Sequence, residues 1–410
     1  MSDRLKLFRK LMSAFEGSSN PQQAIDTGFY IDLPNNPVGE IARRVELRPS
    51  SVHLLLGGIG SGKTTQLLLA TERLNQLEDI KAIYVDVTLY IDISELEIGK
   101  LIIIAALELL KLLDQEKVPY SKEYGENVKK LAYGYTETEM GLPISELLNS
   151  TTPFISLFSS QRNVTTHHKG LLEKRETENK FARAFSELSE HIKEEFGKEI
   201  MFLFDGLDRL GNSKIFSSSA LEDVNQIQKC GYGITIVGSV FAAYIDREAI
   251  EKLDCYSYYL PYLDIGEDEK AYEFFAGILA KRDSDNFITP QARLSLISNS
   301  GGVLRDLMSL AQSSIEEAYF DGSDNIDSVH LEKAVLSLTR TKLAGLTKEG
   351  LQTIKQILGG QKFFPQSIED FELLSEGYIL EYRYPYRRFA VHPVIEKYIS
   401  SQVIASVVNG

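Results

Sequence analysis

A short, mostly apolar run, Ser51-Val52-His53-Leu54-Leu55-Leu56, ends abruptly in Gly57-Gly58-Ile59-Gly60-Ser61-Gly62-Lys63-Thr64, and a helix-forming stretch, Thr64 to Leu77, follows at once. This is a complete GxxxxGK[ST] pattern lying between a buried strand and a helix, the setting in which such a loop cradles phosphate. Its glycines let backbone N–H groups turn toward a polyphosphate at the helix N-terminus, where the helix dipole also favours anions. Gly57 to Thr65 form the expected cradle. Lys63 is expected to reach the β- and γ-phosphates of ATP, and the Thr64 hydroxyl to ligate Mg²⁺.

The rest of the chain repeats the strand and helix alternation that builds a mostly parallel sheet flanked by helices. Ala82 to Val87 reads as a second strand and Glu97 to Leu113 as a long helix; Glu199 to Phe204, Ile234 to Gly238 and Tyr256 to Leu260 read as three further strands. Val118 to Asn179 is polar and aperiodic, so it reads as an insertion, while Phe181 to Phe196 regains helical spacing. Before the loop, residues 1–50 hold a helical leader, the turn-rich GSSNPQQ, a strand-like FYIDL, the PNNP cluster and a helix from about Val38. Beyond Asp264 the pattern is helical and acidic to about residue 339. Residues 340–410 then offer a helix, a Gly-Gly turn, a helix, two strand-like stretches around Tyr384-Pro385-Tyr386, and a last helix, the order of a winged helix. The expected division is 1–50, a core over 51–263, a helical lid over 264–339 and a winged helix over 340–410.

Asp205 closes the apolar strand ahead of Gly206-Leu207-Asp208-Arg209. A carboxylate at that strand end can hold the water shell of Mg²⁺, and Asp208 is placed to orient or deprotonate an attacking water. With these residues in view, the sequence resembles the P-loop ATPases of the AAA+ and STAND type over most of its length. The DGLD arrangement is familiar from STAND proteins, although Arg209 stands where many continue with Glu. The lack of Glu directly after Asp205 departs from the usual AAA+ pattern. The resemblance implies that Ser239 occupies the sensor 1 position and that Arg305, in Ser300-Gly301-Gly302-Val303-Leu304-Arg305, is a sensor 2 arginine in the lid. Tyr259-Leu260-Pro261-Tyr262-Leu263 looks like a core-to-lid junction, and the winged helix completes a similarity to the Orc/Cdc6-like branch. Arg247 is the expected finger reaching a neighbour's nucleotide, with Arg209 as its competitor.

Other chemistries find little support. His167-His168 lacks the further ligands of a zinc site, and Cys230 and Cys255 sit in no CxxC or Cys/His cluster, as expected of a reduced, cytoplasmic protein. The longest apolar stretch, Leu101 to Leu107, falls short of the roughly 20 residues that span a bilayer. A formal net charge of −14 opposes sequence-independent binding along nucleic acid. Two roles compete for such an ATPase. In the first, nucleotide state drives homo-oligomerisation or engagement of a separate effector protein, as in signalling or bacterial antiviral-defence ATPases. In the second, the chain is a DNA-binding regulator, an initiator, loader or transposition-type ATPase. Glu369, Asp370, Glu372 and Glu376 on the second helix of the winged helix would face phosphates, which leaves only the wing, with Arg383, Arg387 and Arg388, suited to duplex DNA.

Overall fold

The computed structural model describes residues 3–16, 21–138, 165–169, 185–186, 189–190, 192, 196–210, 215–245, 247–283 and 285–408. Its strands are β1 (Val52–Gly57), β2 (Ile80–Asp86), β3 (Gly134–Thr138), β4 (Thr165–Lys169), β5 (Glu199–Asp205), β6 (Gly233–Ser239), β7 (Cys255–Leu260), β8 (Ile379–Tyr382) and β9 (Arg388–Val391). Five of them form one sheet in the order β2-β5-β6-β1-β7, with every neighbouring pair parallel. Parallel neighbours need crossovers, and helices supply them on both faces. Residues alternate between the two faces with the strand's period of two. From β1, Leu55 enters the core formed with the leader, the helix after the loop and the lid; Val52, Leu54 and Leu56 enter the opposite core around the helix Lys100–Glu116. The result is a three-layer α/β core.

After β7 come four helices, Glu269–Arg282, Pro290–Ser300, Leu304–Phe320 and Ser328–Leu343. Their starts are written locally. Asp268, Thr289 and Asp327 each accept a backbone N–H of the first turn, and Pro290 takes the first helical position. The C-terminal unit has helices Lys348–Leu358 and Ile368–Ser375, the antiparallel hairpin β8-β9 and the helix Pro393–Val408, which is a winged helix.

Some expectations change. FYIDL is no strand: Phe29 to Leu33 joins no ladder, and lid side chains take the carbonyls of Phe29 and Tyr30. Lys281 Nζ donates to Gly28 O and Tyr30 O, both at 2.9 Å, and Arg282 Nη1 to Phe29 O at 3.0 Å. The polar insertion opens with a helix, Lys122–Tyr133, and β3 pairs antiparallel with β4. Most of its remainder lies outside the described residues, as do the side chains of His167 and His168 and most of the expected helix over Phe181 to Phe196. Within that helix Phe185 and Ile192 are helical and buried. Among the described residues no helix is long and apolar enough to cross a membrane.

His53 is fully buried in β1, with Ser51 Oγ at 2.8 Å from Nε2 and the Tyr258 hydroxyl at 3.1 Å from Nδ1. Burial first, then the nearby Arg44 charge, push its pKa down to about 3. The folded value lies below the unfolded one, so this contribution to stability is complete above roughly pH 6.5 and is lost as pH falls toward the folded value. Read as the difference between wild type and His53→Gln in urea unfolding, it should shrink by about 2 kcal/mol between about pH 7.5 and pH 5.

Candidate nucleotide site

The parallel sheet delivers its chemistry at one edge. β1 ends in the glycine-rich loop, β5 ends at Asp205 and β2 at Asp86, with Asp86 and Asp205 paired in register. Loops at the C-terminal ends of such strands are where α/β sheets bind ligands. A cleft of about 740 Å³ opens there, lined by Gly60 and Gly62 to Gln66, by Asp205, Asp208 and Arg209, by Arg305 from the lid and by Phe29 to Ile31 from the leader. Its size suits a drug-sized or nucleotide-sized ligand.

The loop has the backbone a phosphate cradle needs. Gly60 and Gly62 take φ of 83° and 98°, in the left-handed region that only glycine enters freely. Helix Lys63–Leu74 starts directly behind them, and the buried Ser61 hydroxyl has no partner. Lys63 is buried with its ammonium turned inward. Nζ donates to Gly57 O at 3.0 Å and Gly58 O at 2.6 Å, and it pairs with Asp208 Oδ2 at 2.9 Å. Burial alone would raise the Asp208 pKa; Lys63, with Arg209 and Arg305, instead holds it below the usual carboxylate range.

Asp205 is buried, which raises its pKa, although it accepts from Tyr84 Oη and Gly206 N, each at 2.8 Å, and from Thr64. Thr64 and Asp205 are hard oxygen donors held next to each other. Mg²⁺ takes one or two such protein ligands and completes its shell with water and phosphate, so this donor set fits it. Among the described residues no cluster of three or more His, Cys, Asp or Glu could hold a metal by itself.

The structure therefore brings Lys63, Thr64, Thr65, Asp205, Asp208, Arg209 and Arg305 to one cleft. Ser239 lies opposite Gly57 in the β1-β6 ladder, where its hydroxyl accepts from Ala242 N at 3.3 Å, capping the helix Val240–Ile245. Arg247 stands apart on the exposed helix Arg247–Lys252, with Nε 2.7 Å from Glu251. Arg209 lines this chain's own cleft. In the wing, all three arginines also meet the protein's own groups. Arg383 Nε and Arg387 Nε reach Glu381 Oε1 at 3.1 and 2.9 Å, and Arg383 lies 3.3 Å from the Tyr259 ring centroid. Arg387 also meets the Tyr244 hydroxyl, and Arg388 grips Asp264 at 2.5 and 2.6 Å.

Tyr30, Gln66, Tyr84, Asp86 and Arg282 belong to the site or its frame and escaped the sequence reading. Only Gln66 and the pair Tyr84 and Asp86 carried a local hint, one helical turn past Lys63 and at the end of β2.

No known family profile matches the sequence, and none of the curated proteins compared with it matches significantly. Over about nine-tenths of its length the chain is similar in fold to several solved structures. With Aeropyrum pernix Orc1 in complex with DNA it shares 14% identity at a TM-score of 0.41, over 93% of this chain and 96% of that one. With Pyrobaculum aerophilum Cdc6p the figures are 13%, 0.41, 92% and 98%. With the Thermotoga maritima RuvB Holliday junction branch migration motor they are 13%, 0.37, 88% and 92%.

The loop glycines also leave room for the lid. A Cβ on Gly60 would fall 2.8 Å from Arg305 Cβ and 3.1 Å from Val303 Cγ1. At Gly28, φ of 76° is similar but nothing lies within 4 Å. Gly60→Ala should therefore lower stability in urea by about 2–3 kcal/mol, and Gly28→Ala by only about 1 kcal/mol, since strain acts at both sites and the clash at one. Equal losses would show that Arg305 does not press on the loop.

Proposed function

We propose that the chain is an ATP-binding and hydrolysing switch whose nucleotide state is passed from the loop to the winged helix and so controls oligomerisation or engagement of a partner protein. The carrying observation is the position of Tyr262. Its hydroxyl donates to Ile59 O of the loop at 3.1 Å, and its backbone bridges to Tyr382 at the end of β8. One residue thus touches both the phosphate cradle and the wing. A second link runs through neighbours in sequence. Arg305 faces the cleft, while Asp306 accepts from His392 Nε2 and pairs with Lys342, each at 2.9 Å. Asp306 is held to a pKa of about 2, against its burial, by His392 and Lys342. A nucleotide that draws Arg305 toward its phosphates must shift the turn that carries Asp306, and the differential contact is what a switch requires.

In this reading residues 51–263 are the ATPase core, 264–339 the lid and 340–410 the winged-helix reader. Phosphate binding and hydrolysis follow in a set order. Lys63 has to leave the Gly57 and Gly58 carbonyls to reach the β- and γ-phosphates, and in doing so it leaves Asp208. Freed from the ammonium, Asp208 becomes more basic and can orient or deprotonate the attacking water, while Thr64 and Asp205 hold Mg²⁺. Ser239 remains a candidate sensor and Arg247 a candidate finger toward a second copy.

The test pairs turnover with a structural readout. Wild type should hydrolyse ATP with Mg²⁺, and Lys63→Ala should lose that activity by roughly a hundredfold or more. On adding a non-hydrolysable ATP analogue, hydrogen exchange across residues 377–392 should change in wild type but much less in Tyr262→Phe. Light scattering at matched concentrations should show whether the same analogue alters assembly. Unchanged exchange in the hairpin and unchanged mass on saturation with the analogue would sink the switch reading while leaving the ATPase reading in place.

A further inference from the structure

Among the described residues three carboxylates line the cleft, Asp86, Asp205 and Asp208, and two of them are committed. Asp205 accepts from Tyr84 Oη, Gly206 N and Thr64, and Asp208 Oδ2 is paired with the Lys63 ammonium at 2.9 Å. When Lys63 and Arg305 turn to phosphate, Arg209 still stands beside Asp208. Asp86 differs. It closes β2 directly opposite Asp205 on the neighbouring parallel strand and is half-buried in the cleft wall. Its Oδ1 accepts from Thr88 N at 3.0 Å and from the Thr88 hydroxyl at 2.6 Å, while its Oδ2 has no hydrogen-bond or ion-pair partner among the described residues. The residue after Asp205 makes room for this acid. Gly206 takes a φ of 90°, and a Cβ there would fall 2.7 Å from Thr88 Cγ2 and 3.4 Å from Asp86 Oδ1. The space in which a side chain following Asp205 would start is therefore filled from β2, and the carboxylate at that position comes from the neighbouring strand.

We propose that Asp86 is the general base of the cleft, the group that takes the proton from the water attacking the terminal phosphate, while Asp208 keeps an orienting role. The inference rests on the reading of the cleft as an ATPase site. A general base needs an oxygen with an uncommitted lone pair, held in a fixed direction and within hydrogen-bond reach of water. Of the three carboxylates only Asp86 combines these. Thr88 fixes one of its oxygens and leaves the other for the water, and no cation among the described residues is paired with it. In the step, an O–H bond of the water breaks toward Asp86 as the water oxygen bonds to the γ-phosphorus. The bond from that phosphorus to the bridging oxygen breaks, and its electron pair leaves with ADP. The proton then passes from Asp86 to inorganic phosphate or bulk water, which restores the carboxylate. Thr88 is a positioning residue in this scheme, acting through Asp86.

The test compares full-length wild type, Asp86→Asn and Asp208→Asn by single-turnover ATP hydrolysis with Mg²⁺, equilibrium binding of the β,γ-imido analogue of ATP, and thermal melting. Asparagine keeps a carbonyl acceptor for Thr88, so Asp86→Asn should melt within about 2 °C of wild type. It should bind the analogue within about threefold of wild type, yet hydrolyse ATP roughly a hundredfold or more slowly, the pattern of a contact made only in the transition state. After incubation with ATP and removal of free nucleotide, wild type should retain ADP and Asp86→Asn should retain ATP. Asp208→Asn should be slowed less. Thr88→Val keeps the acid but removes the hydroxyl that holds it, and should lower turnover about tenfold at unchanged analogue affinity; this variant decides the matter if Asp86→Asn does not fold. Hydrolysis by Asp86→Asn within about threefold of wild type overturns the proposal and leaves the ATPase reading standing, as does an Asp208→Asn protein slower than Asp86→Asn or a Thr88→Val protein at the wild-type rate. A wild type that binds the analogue but hydrolyses no ATP overturns the ATPase reading together with the base.

Discussion

Close backbone approach at a few glycines is the constraint on which the rest of this molecule depends. A side chain on Gly58 would come within 2.2 Å of the Tyr262 hydroxyl, one on Gly57 within 2.5 Å of Leu260 O, and one on Gly302 within 1.8 Å of Leu263 O. These contacts bring together the end of β7, the junction that follows it and the turn before helix Leu304–Phe320, all against the loop. The lid and its junction are therefore seated on the phosphate cradle where bare glycine backbone meets the side chains of Tyr262, Val303, Leu304 and Arg305. Packed elements in such contact move by discrete shifts and do not deform smoothly. The glycines demanded by phosphate geometry are also the ones that make the cradle and lid a single mechanical unit.

Charge placement gives that unit its resting arrangement. Lys63 sits inside its own loop with Asp208 as its partner, and three cations hold Asp208 ionised although it is buried. A buried pair of this kind is of little net worth to stability, but removing one partner exposes the other to the full cost of burial. Any anion that draws Lys63 away therefore alters Asp208 at the same moment. The acid at Asp205 is different, since it keeps hydroxyl and backbone donors rather than a cation, which leaves it suited to a divalent ion.

Legibility from sequence followed how local each signal is. The loop, the strand before it, the carboxylate at the end of β5 and the capped lid helices are written in consecutive residues, and the sheet with its flanking helices follows from their alternation. Ser239, expected at the sensor 1 position, also caps the helix that follows β6. FYIDL misled because an extended apolar pattern says nothing about whether a neighbouring strand is there to pair with it; lid side chains hold it instead. Tyr30, Gln66 and Arg282 lie far apart in sequence, and they share one cleft only once leader, loop helix and lid have met. No periodicity or spacing could have shown them.

The wing arginines show the same limit from the other side. In sequence, Arg383, Arg387 and Arg388 among tyrosines look like a basic patch, because the acids that answer them are Glu381, two residues before Arg383 and buried, and Asp264, more than a hundred residues earlier. Tyr259 completes the arrangement by donating to Glu381 Oε2 at 2.6 Å while its ring faces Arg383. A buried carboxylate held by two guanidiniums and a phenol specifies one geometry, since each partner left unpaired would carry a desolvation cost. The hairpin is thus keyed to the core by directional charge pairs as well as by the packing of Leu380 and Tyr382 against Tyr262 and Val303.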